Sequence, residues 1–114
     1  MYNIQILNNI SSLGLSRLPA ESYRVDTDIK APDAILLRSF KMHDMEIPQS
    51  LLAVGRAGAG VNNIPVAKLS KLGIPVFNAP GANANAVKEL VIAGLILGCR
   101  QICQAWDYSR QLQG

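Results

Sequence analysis

Two stretches of the sequence decide the fold: GRAGAGVNNI at residues 55–64 and NAPGANANAVKEL at residues 78–90. Each stretch begins where an apolar run ends and finishes where a helical pattern begins. Two such strand–turn–helix crossings in tandem are typical of a parallel α/β sheet. The glycines in these turns leave backbone N–H groups free, and free N–H groups beside a helix start suit a small anion.

Apolar runs on either side of these stretches predict short strands. They lie at about residues 2–7, 23–25, 34–37, 51–54 and 74–77. Continuous apolar runs are expected of strands that are buried on both faces. Their alternation with helical segments predicts a flavodoxin-like α/β fold, in which a five-stranded parallel sheet has the order 2-1-3-4-5 and a long C-terminal helix follows.

Punctuating residues predict where the elements begin and end. Asn63 can cap the helix after the first glycine-rich stretch, Pro65 lies in its first turn, and Gly73 follows its end. Pro75 favours either an edge position or the start of the fifth strand, because proline cannot donate to a sheet ladder. Residues 41–50 are polar and predict at most a short helix.

The last element is predicted as one helix over about residues 85–107, and its middle, residues 90–99, is apolar on every face. A helix that is apolar all round must be buried on all sides. One small lobe covers only part of such a helix, so we expect a second domain or a second subunit to pack on it. The predicted organisation is a lobe over residues 1–84 and a helix over residues 85–114 that leads into a further domain.

Composition limits the class of protein. The chain has 114 residues, 49% of them apolar, and a net charge of +3, which fits one folded domain with its own core. The basic residues are scattered and do not alternate with aromatic ones, so we expect no nucleic-acid partner. No signal-peptide pattern is present, and the most apolar run is shorter than the roughly 20 residues that span a bilayer. We therefore expect a soluble, cytoplasmic protein without a membrane partner.

Residues typical of metal sites and general bases are few. Cys99 and Cys103 would share one helix face, but no cluster of Cys or His completes a metal site. We therefore expect no metal, and two buried thiols in a reducing compartment. His43 is the only histidine, and its polar surroundings favour a solvated loop histidine over a general base.

Two arginines stand at the predicted carboxyl ends of strands, where parallel sheets bind ligands. Arg38 can hold an oxyanion through its guanidinium fork, or form a surface ion pair with Asp33 or Asp44. Arg56 lies inside the glycine-rich turn, where it either supports the loop or contacts a ligand. The glycine pattern G-x-x-G-x-G at residues 55–60 matches neither the dinucleotide fingerprint nor a P-loop, and a tight turn explains it as well as an anion site does.

Taken together, four motifs resemble the family of D-isomer-specific 2-hydroxyacid dehydrogenases. They are DAILLRS at 33–39, GRAGAGVNNI at 55–64, GIPVFNAPGAN at 73–83 and EL at 89–90, in this order and spacing. The resemblance covers about residues 33–105 and is closest to the phosphoglycerate dehydrogenase branch of the family. It implies an oxidoreductase that uses NAD to convert 3-phosphoglycerate into 3-phosphohydroxypyruvate in serine biosynthesis.

The resemblance also implies roles for loop residues. Those that would bind the small phosphorylated 2-hydroxy acid are Arg38, Ser39, Arg56, Ala57 and Gly58. Ala59 and Gly60 would lie near the nicotinamide of NAD, and the helix from Asn85 would lead into an NAD-binding domain.

Members of the family carry their catalytic machinery downstream of these motifs. The dinucleotide fingerprint, the catalytic Arg, the Glu and the His have no counterpart in these 114 residues, and His43 does not match the family's histidine. The resemblance therefore implies a substrate-binding fragment with no catalytic residue, no turnover and no tight binding of NAD. The alternative is a stand-alone α/β module that binds a small anion without catalysis. We also expect the chain to self-associate through its C-terminal helix.

Overall fold

A computed structural model describes residues 1–113 and divides the chain into two compact units, Met1–Pro80 and a second that begins at Gly81. The first unit is a sheet of five parallel strands. These are β1 (Tyr2–Ile6), β2 (Tyr23–Asp26), β3 (Ala34–Leu37), β4 (Ala53–Arg56) and β5 (Val76–Phe77). Their order is β2-β1-β3-β4-β5, which confirms the predicted fold and puts β5, with the adjacent Pro75, at an edge.

The core of the first unit lies against the central strands. Along β3, Ile35 and Leu37 are fully buried, whereas Ala34 and Leu36, which point to the other face, are only half-buried. The buried cluster comprises Ile35, Leu37, Met42, Leu51, Val54, Ile64, Leu69 and Ile74. The other face of β3 is covered less completely, which leaves Leu36 available to line a groove.

β4 lies two residues later than the apolar run predicts. Its pairing with β3 continues through Gly55 and ends at Arg56, which stands opposite Leu37. Gly55 is thus a strand residue, not the first residue of the turn. A Cβ at Gly55 would stand 2.8 Å from Leu36 Cδ2, so a larger residue there would collide with its neighbour on β3.

Helix α2 (Val66–Lys71) ends as predicted, but it does not begin as predicted. Gly73 has a φ of 73°, and Ile74 N–H donates to Leu69 O in the manner of a Schellman motif. At the other end, Pro65 occupies the N-cap position, so the prediction that Asn63 caps this helix is wrong. The Asn63 side chain bonds to the loop after β3 instead.

Two further segments of this unit contain little or no helix. Helix α1 covers only Ser12–Leu15, and residues 41–50 form turns without a helix. In that segment Met45 N–H bonds to Met42 O and Leu51 N–H bonds to Pro48 O, which are isolated turns of the chain. A proline inside the segment disfavours helix both at its own position and at the residue before it.

The second unit contains α3 (Ala84–Cys99) and α4 (Ile102–Gln111). The predicted single helix over residues 85–107 is thus interrupted, because Gln101 has a left-handed backbone with a φ of 50°. No residue of α3 or α4 is buried. Cys99 and Cys103 are exposed, so the prediction of buried thiols is wrong for the described chain.

Candidate functional site

The loops that follow β1, β3, β4 and β5 meet at the carboxyl edge of the sheet. The register between β3 and β4 pairs Leu37 with Arg56, and Ala57 N–H donates to Leu37 O over 2.8 Å. Arg38 and Arg56 therefore leave neighbouring strands at the same edge. This is the place where an open parallel sheet binds its ligands.

The segment at residues 38–40 carries Arg38 and Ser39, both of them exposed. Asn8 Oδ1 accepts hydrogen bonds from Arg38 N–H over 2.9 Å and from Phe40 N–H over 3.4 Å. Asn8 Nδ2 donates to Ser39 Oγ over 2.8 Å. The end of β1 thus fixes the segment that follows β3.

Asn63 donates hydrogen bonds to carbonyl groups of the same segment. Asn63 Nδ2 donates to Arg38 O over 3.2 Å and to Phe40 O over 2.8 Å. The Asn63 side chain is buried, and its Oδ1 has no partner within the described residues. Its backbone O accepts from Met42 N–H over 2.9 Å.

The glycine loop, residues 57–60, is held from the end of β5. Asn78 Nδ2 donates to Ala59 O over 2.8 Å, and Ala79 N–H donates to Gly58 O over 3.0 Å. Two N–H groups of this loop, on Ala59 and Gly60, donate to no other group within residues 1–113. Ser39 N–H in the neighbouring segment also donates to no group within residues 1–113, so at least three backbone donors are available at this edge.

The guanidinium of Arg56 lies across Gly58. A Cβ on Gly58 would collide with Arg56 Nη1 and stand 2.6 Å from Arg56 Cζ, so only glycine leaves room for the side chain in this position. Arg56 Nε is buried and has no hydrogen-bond partner in the described chain. A buried donor of this kind is costly unless an acceptor reaches it.

A groove of about 250 Å³ opens beside these loops. Its lining comes from β3, β4, β5 and the loops around them: Ile10, Leu36, Gly55, Arg56, Ala57, Phe77 and Asn78. The walls are mostly apolar, with one guanidinium and the side-chain amide of Asn78 among them. The groove suits a small polar molecule that carries an anionic group.

A larger cavity, of about 340 Å³, lies elsewhere in the first unit. It is bordered by Arg24 and Lys30, but Asp28 lines it as well and opposes their charge. The side chains of Arg24, Asp28 and Lys30 are all exposed. We therefore place the candidate site at the glycine loop, where charge and free backbone donors coincide.

Residues 59 and 60 do not form a dinucleotide site by themselves. Both are exposed, Ala59 O is already bonded to Asn78, and a Cβ on Gly60 would meet only Asn62 Oδ1 at an ordinary 3.5 Å. A dinucleotide-binding glycine, in contrast, is one that lets the backbone approach a pyrophosphate closely. Gly60 therefore lacks the close approach that is typical of a dinucleotide-binding glycine, and the place of Ala59 and Gly60 near a nicotinamide stays a prediction.

His43 ties two loops together. It is exposed, and its Nε2 lies 2.8 Å from Asn62 O, which makes Nε2 the protonated nitrogen. The exposed position agrees with the predicted solvated histidine. Asp33, one of the predicted ion-pair partners of Arg38, precedes β3 and accepts a hydrogen bond from Asn3 N–H over 2.7 Å instead.

Sequence reasoning missed two features of this edge. It assigned Asn63 to a helix cap, and it did not connect Gly58 with the side chain of Arg56. Asn8 and Asn78 come directly after apolar strands, where the loop backbone needs hydrogen-bond partners. That position was the available signal that asparagine side chains bond to the loops at this edge. No pattern in the sequence marks the close approach of Arg56 to Gly58.

Within residues 1–113, no helix is long and apolar enough to cross a membrane. The same residues contain no group of three or more His, Cys, Asp or Glu that could hold a metal ion.

Comparison with known proteins gives a consistent result. The model of the catalytic domain of D-isomer specific 2-hydroxyacid dehydrogenases matches residues 6–107. The chain is 41% identical over 76 residues to D-3-phosphoglycerate dehydrogenase of Archaeoglobus fulgidus, covering 64% of this chain and 14% of that protein. It is 36% identical over 93 residues to the Methanocaldococcus jannaschii protein of the same name, covering 72% and 18%.

A third relative carries a different name. Hydroxypyruvate reductase of Thermotoga maritima is 35% identical over 105 residues, which cover 89% of this chain and 34% of that protein. The chain thus spans about a third or less of the length of these relatives.

Proposed function

This chain belongs to the D-isomer specific 2-hydroxyacid dehydrogenase family, and from that premise we propose that it is the substrate-binding lobe of an NAD-dependent D-3-phosphoglycerate dehydrogenase. The proposed ligand is a small phosphorylated 2-hydroxy acid. The observation that carries the proposal is that Arg38, Arg56 and the free backbone N–H groups of Ser39, Ala59 and Gly60 all belong to loops at one edge of the sheet.

The charges of the site support a ligand with two anionic ends. Arg38 and Ser39 are exposed on one segment and offer a guanidinium fork and a hydroxyl to a phosphate. The free N–H groups of Ala59 and Gly60, with Arg56 beside them, offer donors to a carboxylate. In this proposal Ala57 lines the groove, and Gly58 leaves the space that the Arg56 side chain occupies.

We propose that this chain, by itself, does not turn over substrate. Oxidation of a hydroxy acid needs a base within hydrogen-bond reach of the hydroxyl proton and a nicotinamide that accepts the hydride. Nε2 of His43, the one histidine, is already bonded to Asn62 O and is not available as that base. The residues described here bind and orient the acid, and the remaining chemistry belongs to groups outside this sequence.

A ligand series tests the binding proposal. We expect 3-phosphoglycerate to bind the 114-residue chain more tightly than D-glycerate, which lacks the phosphate, and glycerol 3-phosphate, which lacks the carboxylate. Calorimetric titration gives the three affinities. Arg38→Ala removes a charge-assisted bond and should weaken 3-phosphoglycerate binding by about tenfold or more, with Arg24→Ala as the matched control on an exposed arginine away from the site.

Each outcome of the series distinguishes one function from another. Preference for D-glycerate over 3-phosphoglycerate would favour a hydroxy acid without phosphate, in line with the relative named hydroxypyruvate reductase. Equal binding of inorganic phosphate would favour the stand-alone anion-binding module. NADH formation from 3-phosphoglycerate and NAD by the pure chain would contradict the proposal that it has no turnover.

We also propose that the chain self-associates through α3. The helix exposes Leu90, Leu95 and Ile96 to 74%, 62% and 53% of their surfaces. Exposed apolar side chains on several faces of one helix mark a surface that associates with another one. A second copy of the chain offers the same apolar helix, so a symmetric pair would bury one face of each helix.

A further inference from the structure

We infer that Asn63 and Asn8 are positioning residues, which hold the segment at residues 38–40 in the conformation that presents Arg38 to the ligand. The inference rests on the proposed function, because it concerns the same site. The supporting observation is that the two side chains bond to different backbone groups of this segment. Asn8 accepts from the N–H groups of the segment, and Asn63 donates to the carbonyl groups of the segment.

The segment needs such partners because it has left the sheet. Beyond Leu37 the ladder between β3 and β4 ends, and peptide groups outside a ladder must find other hydrogen bonds. Here the N–H and the carbonyl of both Arg38 and Phe40 are satisfied by two asparagine side chains. An asparagine amide suits this task, since its two N–H donors fork toward two carbonyls while its oxygen accepts.

The burial of Asn63 points to a specific task. Its side chain is only 9% exposed, and its Oδ1 has no partner among the described residues, which is a cost to the folded state. It does not cap α2, whose N-cap is Pro65. What the buried amide provides is the pair of bonds that fix the backbone on either side of Ser39.

Fixing that backbone matters for binding because the side chains there have little other support. Arg38 and Ser39 are both exposed. A segment that is already ordered loses less conformational entropy when it binds a ligand, so the affinity is higher. A change in the backbone at residue 38 would also change the direction in which the Arg38 side chain leaves the segment.

The same contacts couple the two halves of the site. Asn63 O accepts from Met42 N–H, and Asn62 O is bonded to His43 Nε2, so residues 62 and 63 hold the chain both at and after the 38–40 segment. Because Asn63 also follows the glycine loop along the chain, a displacement of one loop is transmitted to the other.

A double-mutant cycle tests this inference. The affinity for 3-phosphoglycerate is measured by calorimetry on the 114-residue chain, on Asn63→Ala, on Arg38→Ala and on the double variant. Asn8→Ala is measured in the same cycle. Because Asn8 is only partly buried, we expect Asn8→Ala to fold, and it decides the question if Asn63→Ala does not fold. Asn85→Ala, on α3 with contacts to Lys88 and Glu89, is the matched control.

We expect Asn63→Ala and Asn8→Ala each to weaken binding about tenfold in the native background and by no further factor in the Arg38→Ala background. A role in stability alone predicts the same factor in both backgrounds, and that result, or no weakening at all, overturns the inference. Absence of binding by the native chain overturns the proposed function first, so the two failures are distinguishable.

Discussion

The two units of this chain use their apolar residues in opposite ways. In the first unit, Leu37 and Leu69 are 0% exposed, while in the second, Leu90 is 74% and Leu95 is 62% exposed. The first unit contains both sides of its own core: the sheet supplies one side, and α2 with the loops supplies the other. The second unit, taken by itself, is two helices, and two helices cannot enclose a helix that is apolar on every face.

This difference shows which contacts stabilise each unit. Burial of apolar surface is the largest favourable contribution to folding, and only the first unit achieves it with its own residues. The second unit needs a partner surface before its leucines contribute. The predictions below test this contrast, beginning with the largest expected effect.

The core and the exposed helix should respond differently to the same substitution. Leu37→Ala should cost about 2–5 kcal/mol of unfolding free energy, because it leaves a cavity in a fully buried site. Leu95→Ala should cost less than about 0.5 kcal/mol at concentrations that keep the chain monomeric. Urea unfolding of both variants gives the two values, and equal costs would mean that α3 is covered in the monomer.

A charge on α3 should abolish self-association. Two copies of Leu95→Lys would lose two buried leucines, each worth about 1.5–3 kcal/mol, so the dissociation constant of the assembly should rise by at least about a hundredfold. Sedimentation velocity across a concentration series measures it. Asn85→Lys adds the same charge to a polar position of α3 and should have little effect. A native chain that stays monomeric at high concentration would contradict the proposed role of α3.

Gly58→Ala should separate ligand binding from stability within the first unit. Gly58 does not have a positive φ, so alanine fits its backbone, but the new Cβ would displace the end of the flexible Arg56 side chain. We expect a stability change below about 1 kcal/mol and a loss of 3-phosphoglycerate affinity of about tenfold. Gly14→Ala, which meets nothing within 4 Å, is the matched control. If Gly58→Ala weakens binding equally when Arg56 is already alanine, Arg56 is not the cause.

The smallest effect concerns an exposed turn at the end of β2. The backbone N–H of Thr27, and then that of Asp28, hold the pKa of Asp26 below its ordinary value of 3.8. A lowered pKa favours the folded state above that ordinary value, and this contribution is lost as the pH falls through the folded-state pKa. The native chain should therefore lose stability between about pH 5 and pH 2 relative to Asp26→Asn, which keeps an acceptor without titrating. Thermal unfolding of both across this range checks it, and parallel curves would contradict it.

The sequence predicted the fold more fully than the site. Apolar runs such as residues 34–37, the glycine at position 73 and the proline at position 75 are local signals, and the structure confirms the strand, the helix end and the sheet edge that they indicate. The role of Asn63 is not local, since its partners lie 25 and 23 residues away. The left-handed backbone at residue 101 interrupts the last helix, but the residue there is glutamine, which is not a turn-forming residue and does not predict this conformation.

The most direct test of the candidate site is a titration of the isotopically labelled chain with 3-phosphoglycerate, followed by amide NMR. We predict that the largest shifts fall on Ser39, Ala59 and Gly60, whose N–H groups are free, with no saturable shifts in α3 or α4. Saturable shifts centred on Arg24 and Lys30, beside the larger cavity, or no saturable shifts at all, would contradict a ligand site at the carboxyl edge of the sheet.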